Sequence, residues 1–309
     1  MTTPAPVIAA DLGGTKITAG IVDPGGSVRG VRTVPTGAMR GPGAILEDLT
    51  ALLAQLHELE PTAPLVGIGS AGVVDPEDGS ILSATDAIPG WTGTPLATRV
   101  SEHLGLPVHA LNDVHAHALG EARHGAGAGR ASMLMVAVGT GVGGGFVEDG
   151  RVMVGSRAVA GHVGHIPVPE ADGVPCTCGR TGHLEAIGSG PAILDAYERS
   201  GGEAADTREV AARAEAGEEL AHDVLTAGAR AVGRTIGALL NVLDPEIVVL
   251  SGGMADAGDL WWRSVRAGVA LEAMDRVAGA SVVPATAGAQ AALLGAAHYA
   301  RDRAATSTS

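Results

Sequence analysis

Asp11-Leu-Gly-Gly-Thr-Lys16 stands between two short apolar runs, residues 7–10 and 17–22, and Asp23-Pro-Gly-Gly26 marks a second turn before Val28–Val34. Short apolar runs bounded by glycine turns read as strands, so the chain opens as a β-meander. A bend at Gly13 and Gly14 exposes backbone N–H groups and carries no Cβ to block a polyphosphate. Thr15 and Lys16 add a hydroxyl and a charge, and Asp11 a carboxylate suited to Mg2+. By itself the segment is equally a plain tight turn.

The same plan recurs downstream. Ser132–Val138 is a second apolar strand pattern, followed by a glycine turn over 139–145, a strand at Phe146–Glu148 and a turn at Asp149-Gly150. Five of the seven residues in Gly139-Thr-Gly-Val-Gly-Gly-Gly145 are glycine, a conformational-entropy cost that an ordinary β-turn does not require. Gly139, Thr140 and Gly141 are therefore read with Gly13 to Lys16 as phosphate-binding, and the repeat points to two related lobes facing one ligand. Gly252-Gly253 follows the buried-strand pattern Ile247–Leu250. It either brings backbone against a nucleobase or simply opens a helix.

Between these landmarks helices and strands alternate. Apolar residues recur at helical spacing over Ala44–Leu59, and helices are also read at Pro95–Leu104, Val114–His124, Glu218–Leu243, Leu260–Met274 and Ala289–Ala300. Leu65–Ile68 and Val108–Leu111 read as buried strands, and Ala304–Ser309 as a frayed tail. At 309 residues the chain suits two α/β domains, placed at 1–113 and 114–309 with the last helix able to pack back on the first.

Composition narrows the function class. A formal charge of −14 with no clustered Lys or Arg argues against a nucleic-acid partner. No apolar run is long enough for a membrane span, and the N-terminus lacks the order of a signal peptide, so a cytoplasmic setting is expected. Both cysteines sit in Cys176-Thr-Cys178, which offers no long-range disulfide framework and fits a reducing compartment. His165, Cys176, Cys178 and His183 together have the types, number and local spacing of a structural Zn2+ site, the other reading being two buried thiols beside two surface histidines. Asn112-Asp113, before a helical stretch, reads on its own as a helix N-cap.

Several segments together resemble the ROK family of sugar kinases and repressors, colinearly over nearly the whole chain. They are Asp-Leu-Gly-Gly-Thr-Lys at 11–16, Asn112-Asp113 heading a helix that ends Ala-Leu-Gly-Glu121, and the glycine run at 139–145. Gly161-His-Val-Gly-His165 and Cys176-Thr-Cys-Gly-Arg-Thr-Gly-His-Leu-Glu185 complete the set. The resemblance implies the actin-like ATPase (ribonuclease H-like) fold with a central cleft, ATP with Mg2+, a hexose or N-acylhexosamine substrate, and a homodimer or homotetramer. It implies that Asp113 is the base acting on a sugar 6-hydroxyl. It places Asn112 and the loop ending at Gly72 on other hydroxyls, and His165 and Glu185, pinned by the zinc loop, at the C1 and C2 substituents.

The pattern departs from the family at informative places. The fourth zinc ligand is usually cysteine, and here it is His183. ROK glucokinases carry Glu-x-Gly-His, and His162 stands at the Glu position, whereas bacterial N-acetylmannosamine kinases of the family can show the same Gly-His-x-Gly-His. A C2 acetamido group donates no hydroxyl there, and a neutral imidazole can serve its amide. The alternatives are a glucokinase or other hexose kinase, with His162 turned away from the sugar, and a sugar-sensing repressor. The last is disfavoured, since a first glycine turn at residue 11 leaves no room ahead of it for a DNA-binding domain. His115 and His117 are read as helix-surface or packing residues, and Trp91 as a packing anchor.

Overall fold

The computed structural model describes residues 5–306, which fall into two compact units. The first comprises residues up to Gly129, Phe146–Ala160 and the segment from Thr286 onward, and the second Arg130–Gly145 and Gly161–Ala285. This division differs from the expected break after residue 113.

In the first unit the chain runs β1 (Val7–Leu12), β2 (Lys16–Val22), β3 (Val28–Pro35), α1 (Pro42–Leu59), β4 (Val66–Ser70), a small ribbon of β5 (Val73–Val74) and β6 (Ile81–Ser83), α2 (Leu96–Leu104), β7 (Val108–Asn112) and α3 (Asp113–His124). Its sheet has the order β3-β2-β1-β4-β7. β1 pairs antiparallel with β2, Val7 opposite Val22, and parallel with β4, while β4 runs parallel to β7. Ile8, Leu12, Ile17 and Ile21 from the hairpin are buried with Ile45, Leu49, Leu53 and Leu56 of α1, whose helical spacing brings them to one face. Trp91 is fully buried in this core and its indole N–H donates to Ser70 Oγ at 3.3 Å, the anchor expected of it.

The second unit holds β8 (Ser132–Val138), the start of β9 (Val142–Glu148), then, after β10 (Arg151–Val152), α4 (Glu185–Gly188), α5 (Gly190–Arg199), α6 (Thr207–Glu215), α7 (Glu219–Leu243), β11 (Ile247–Ser251), α8 (Asp259–Glu272) and β12 (Ser281–Pro284). The chain passes from the second unit to the first within β9, and this sheet has the order β10-β9-β8-β11-β12. β8, β11 and β12 run parallel. The order reproduces that of the first sheet strand for strand, so the repeat read from the two glycine turns is a repeat of topology. Asp149 and Gly150, between β9 and β10, both take positive φ, as a two-residue hairpin of the right-handed twist requires.

Two expectations about extent are corrected. The glycine turn over 139–145 is shorter than read: Val142, Gly143, Gly144 and Gly145 already lie in β9, and only Gly139–Gly141 bend. The tail is ordered helix as far as Thr306, because α9 (Ala291–Thr306) is continuous, while Ser307–Ser309 lie outside the described residues.

α3 and α9 explain the unit boundary. A Cβ at Gly295 of α9 would stand 1.7 Å from the Ala116 carbonyl of α3, and one at Gly120 would stand 1.9 Å from the Ala291 carbonyl. The helices touch backbone to backbone, so α3 stays with the first unit, which α9 joins from the far end of the chain. Gly295→Ala is expected to destabilise the protein by about 3 kcal/mol or more, the upper end of overpacking, since a carbonyl cannot rotate aside as a side chain can. Denaturant unfolding checks this, and a loss under about 1 kcal/mol would show that the contact is loose. Among the described residues no helix is long and apolar enough to cross a membrane.

Candidate active site

The register of the first sheet gathers the expected residues at one edge. Asp11 lies opposite Gly69 and Leu12 opposite Ser70, while Ser70 lies opposite Asn112. The Gly13-Gly14 turn, the loop to Gly72 and Asn112-Asp113 therefore all leave the carboxyl ends of neighbouring parallel strands, where open α/β sheets hold ligands. Thr15 and Lys16 are exposed at the turn, which is closed by a Gly13 N–H donating to the Lys16 carbonyl at 3.0 Å. Thr36, fully buried, braces it: its hydroxyl donates to the Gly13 carbonyl at 2.6 Å and its N–H to the Thr15 carbonyl at 2.9 Å. Sequence reading missed Thr36, which no motif singles out.

Asn112 is both a cap and a clamp. Its Oδ1 accepts from the N–H groups of Val114 and His115 at 3.0 and 3.1 Å, capping α3. Its Nδ2 donates to the Gly72 carbonyl and to Asp113 Oδ1, both at 2.9 Å. Two lone pairs and two hydrogens are thereby engaged, so Asn112 fixes Gly72 and Asp113 to each other. Asp113 Oδ1 also accepts from the Val114 N–H at 2.9 Å. These two bonds fix that oxygen of the carboxylate in place. His115 is buried, its Nε2 2.6 Å from the Ala160 carbonyl, and burial lowers the pKa of His117. Both are packing residues.

Asp11 is the electrostatic outlier. Its pKa is raised from 3.8 to about 7, first by burial and second by the charge of Asp113, with Lys16 opposing. Two carboxylates in a shielded place form a donor set that a divalent cation would neutralise. The sign follows from linkage. Between the two pKa values the folded protein holds a proton that the unfolded chain has released, so this contribution favours the fold at low pH and is lost as pH rises through about 7. Asp11→Asn is therefore expected to raise the melting temperature at about pH 8 in metal-free buffer, to flatten its change between about pH 5 and 8, and to lower turnover. A variant melting below the parent at the higher pH would contradict this.

The second unit repeats the arrangement. Ser251 of β11 lies opposite Ala137 of β8, so Gly139–Gly141 and Gly252-Gly253 leave adjacent carboxyl ends. Gly252, at φ 86°, begins a 3-10 turn over Gly253–Asp256, so it is a helix-entry turn, and the turn also borders a cavity. That cavity, of about 600 Å³, is bounded by Gly139, Thr140, Gly253, Met254, Pro191 and the α6 residues Ala211 and Ala212. Its volume and largely apolar wall suit a nucleobase beside a phosphate turn. The α6 side of it, begun by Asp206 capping the Glu209 N–H at 3.0 Å, was not anticipated, although Asp-Thr-Arg-Glu at 206–209 carries an N-cap signal.

Gly161-His-Val-Gly-His165 owes its glycines to contact. A Cβ at Gly161 would stand 2.2 Å from the Gly144 carbonyl, and one at Gly164 2.2 Å from the Val142 carbonyl. The turn bearing His162 and His165 thus lies directly on the backbone of β9, and Gly144 has its own close neighbour, since a Cβ there would stand 2.6 Å from the Met135 carbonyl of β8. The two imidazoles stack at 6.3 Å between centroids. The Leu184 N–H donates to the Ile166 carbonyl and the Val168 N–H to the Gly182 carbonyl, which draws His183 beside His165.

The four expected metal ligands converge. One atom from each of His165, Cys176, Cys178 and His183 lies within 4.8 Å of all the others, with Cys176 Sγ 3.7 Å from His165 Nδ1 and Cys178 Sγ 3.2 Å from His183 Nδ1. The two Cys–His separations are close to the edges of a tetrahedron with metal–ligand bonds of about 2.0–2.3 Å. Burial lowers the pKa of His165, which favours the neutral, ligating imidazole. Burial also pushes the Cys176 thiol up, an effect that a cation among the four ligands would offset. Glu185, at the start of α4, accepts from the Val142 N–H at 2.9 Å and from the Thr177 hydroxyl at 2.7 Å.

The family model described as "ROK family" matches residues 7–303. Among curated proteins, a glucokinase of Halalkalibacterium halodurans is 33% identical over 93% of this chain and 92% of its own length. An N-acetylmannosamine kinase of Shigella flexneri is 35% identical over 80% of this chain and 82% of its own. Among solved structures, a ROK hexokinase from Thermus thermophilus superposes with a TM-score of 0.87 at 34% identity, covering 97% of this chain and 99% of that one.

Proposed function

We propose that this chain, which belongs to the ROK family, phosphorylates the 6-hydroxyl of an N-acylhexosamine, N-acetylmannosamine being the best candidate. The chain is a sugar kinase of the actin-like ATPase fold and uses ATP, like the glucokinase, hexokinase and N-acetylmannosamine kinase relatives it resembles along most of its length. The observation that carries the narrower reading is His162, stacked on His165 at the position where glucokinases of the family hold a glutamate. Imidazole there removes a fixed anionic acceptor for a C2 hydroxyl and offers a neutral partner to an amide.

Within this reading each unit contributes its own set. Asp113, fixed by Asn112 and by the α3 N-terminus, accepts the hydroxyl proton as the oxygen attacks the terminal phosphorus and the bond from that phosphorus to the bridging oxygen breaks, releasing ADP. Asn112 keeps that carboxylate and the Gly72 loop in register. Gly13 to Lys16 and Gly139 to Gly141 offer backbone N–H groups and the Thr15 and Thr140 hydroxyls to the phosphates, and the cavity between Gly139, Gly253 and α6 takes the nucleoside. Asp11 is the residue that would hold Mg2+, which neutralises phosphate charge when bound. His165, Cys176, Cys178 and His183 are proposed to hold a structural Zn2+ that stiffens the segment carrying His165 and Glu185. A homodimer or homotetramer in the cytoplasm completes the proposal, supported by the family resemblance.

A coupled ADP-release assay compares N-acetylmannosamine with glucose under the same conditions. A kcat/KM at least about tenfold higher for the N-acyl sugar is expected, the discrimination a few pocket contacts supply. The reverse preference would move the reading to a hexose kinase, which the 33% identity to a glucokinase along 93% of this chain favours.

A further inference from the structure

We propose that Thr177, the residue between the two cysteines, positions the sugar-side carboxylate of Glu185. The inference rests on the reading of Glu185 as a sugar ligand and extends it to a residue outside that set.

Glu185 is held at two points. Its Oε2 accepts from the Val142 N–H at 2.9 Å, just past the Gly139–Gly141 bend, and its Oε1 accepts from the Thr177 hydroxyl at 2.7 Å. One hydrogen bond leaves a carboxylate free to pivot about the bonded oxygen, whereas two on different oxygens fix its plane. Each oxygen retains a lone pair for a hydroxyl donor, so the bonds orient Glu185 without consuming its capacity. Gly141 makes room for this placement, since a Cβ there would stand 2.8 Å from Oε2.

Thr177 is itself a rigid donor. Its neighbours Cys176 and Cys178 are both candidate metal ligands. The turn is closed by the Cys176 N–H donating to the Arg180 carbonyl at 2.7 Å and the Gly179 N–H donating to the Cys176 carbonyl at 2.9 Å. The β-branched side chain restricts χ1 further. The hydroxyl therefore transmits the geometry of the cysteine turn to the carboxylate, and a hydrogen bond to an ionised acceptor is among the stronger neutral-donor contacts. A serine keeps the hydroxyl with a looser χ1, and a valine keeps the shape without the donor.

Thr177→Val, Thr177→Ser and Glu185→Gln are compared for sugar binding by calorimetry, for KM and kcat with each substrate, and for zinc by elemental analysis. Thr177→Val is expected to weaken sugar binding about five- to tenfold, the effect of one charge-assisted hydrogen bond, with ATP KM, kcat and zinc content close to the parent. Thr177→Ser is expected to recover most of that loss. Thr177 is exposed, and Thr177→Ala repeats the measurement should the valine misfold. Wild-type sugar binding in Thr177→Val beside a weakened Glu185→Gln would overturn the positioning role and leave Glu185 as a sugar ligand. Unchanged binding in Glu185→Gln would overturn the reading of Glu185 and the proposal with it. Loss of zinc in Thr177→Val would also overturn the proposal, by assigning the effect to the metal site.

Discussion

Asp113→Asn is expected to lower kcat by about a thousandfold while leaving sugar affinity within about threefold of the parent, the range of effect seen when a general base is removed. The substitution isolates chemistry from structure for a specific reason. Asp113 Oδ1 accepts from Asn112 Nδ2 and from the Val114 N–H, and an asparagine retains an Oδ1 able to accept both. The cap on α3 is supplied by Asn112 Oδ1, which the change does not touch. The variant should therefore fold and bind sugar but lack a group of suitable basicity for the 6-hydroxyl proton. Asp11, with its pKa near 7 and Asp113 among its perturbing charges, should also ionise at lower pH once that neighbour is neutral. A kcat within tenfold of the parent would show that another residue accepts the proton.

The second large effect is expected at the metal site. Cys176→Ala removes one of four converging ligands, leaving three that no longer fill a tetrahedron. Structural zinc in small domains contributes apparent binding energies on the order of 10 kcal/mol, so the surrounding loop should lose its fixed geometry along with the ion. The loop carries both proposed sugar residues: His165 is itself one of the four proposed ligands, and Glu185 is bonded to Thr177 beside Cys176. Zinc content is expected to fall below about half an ion per chain and sugar KM to rise more than about tenfold, with ATP KM changed little. The α6 side of the cavity proposed for the nucleoside and the Gly139 turn contain none of the four candidate ligands, which is the reason for that asymmetry. Unchanged zinc and unchanged sugar KM would show that the cluster is two thiols and two histidines without a structural ion.

The features legible in the sequence were local ones. The paired glycine turns marked β1-β2 and β8-β9, and the sheets that follow have the same strand order. The convergence of His165, Cys176, Cys178 and His183 was legible because three of them lie within eight residues, from Cys176 to His183, in a tight turn. Contacts between distant segments were not. Thr36 reaches the Gly13 carbonyl across a whole strand, and the Thr177 hydroxyl reaches Glu185 only because the cysteine turn folds back. The glycines at 143–145 misled for a physical reason: glycine serves close backbone approach as well as anion binding. A Cβ at Gly144 would stand 2.6 Å from the Met135 carbonyl of β8, a contact that requires glycine without any anion. The unit boundary escaped a linear reading because backbone contact with α9 at Gly120 and Gly295 keeps α3 in the first unit, beyond the break expected after residue 113. Asn112 makes the helix cap read for it and also a bond to Asp113 that the sequence did not announce, since the same amide serves both.

The most direct test is ADP release by the purified protein with Mg2+ and ATP in the presence of glucose, mannose, fructose, N-acetylglucosamine and N-acetylmannosamine in turn, with the product's phosphorylated position read by phosphorus NMR. Sugar-dependent turnover is expected, greatest with N-acetylmannosamine and yielding the 6-phosphate. Absence of turnover with every sugar would contradict the kinase assignment itself.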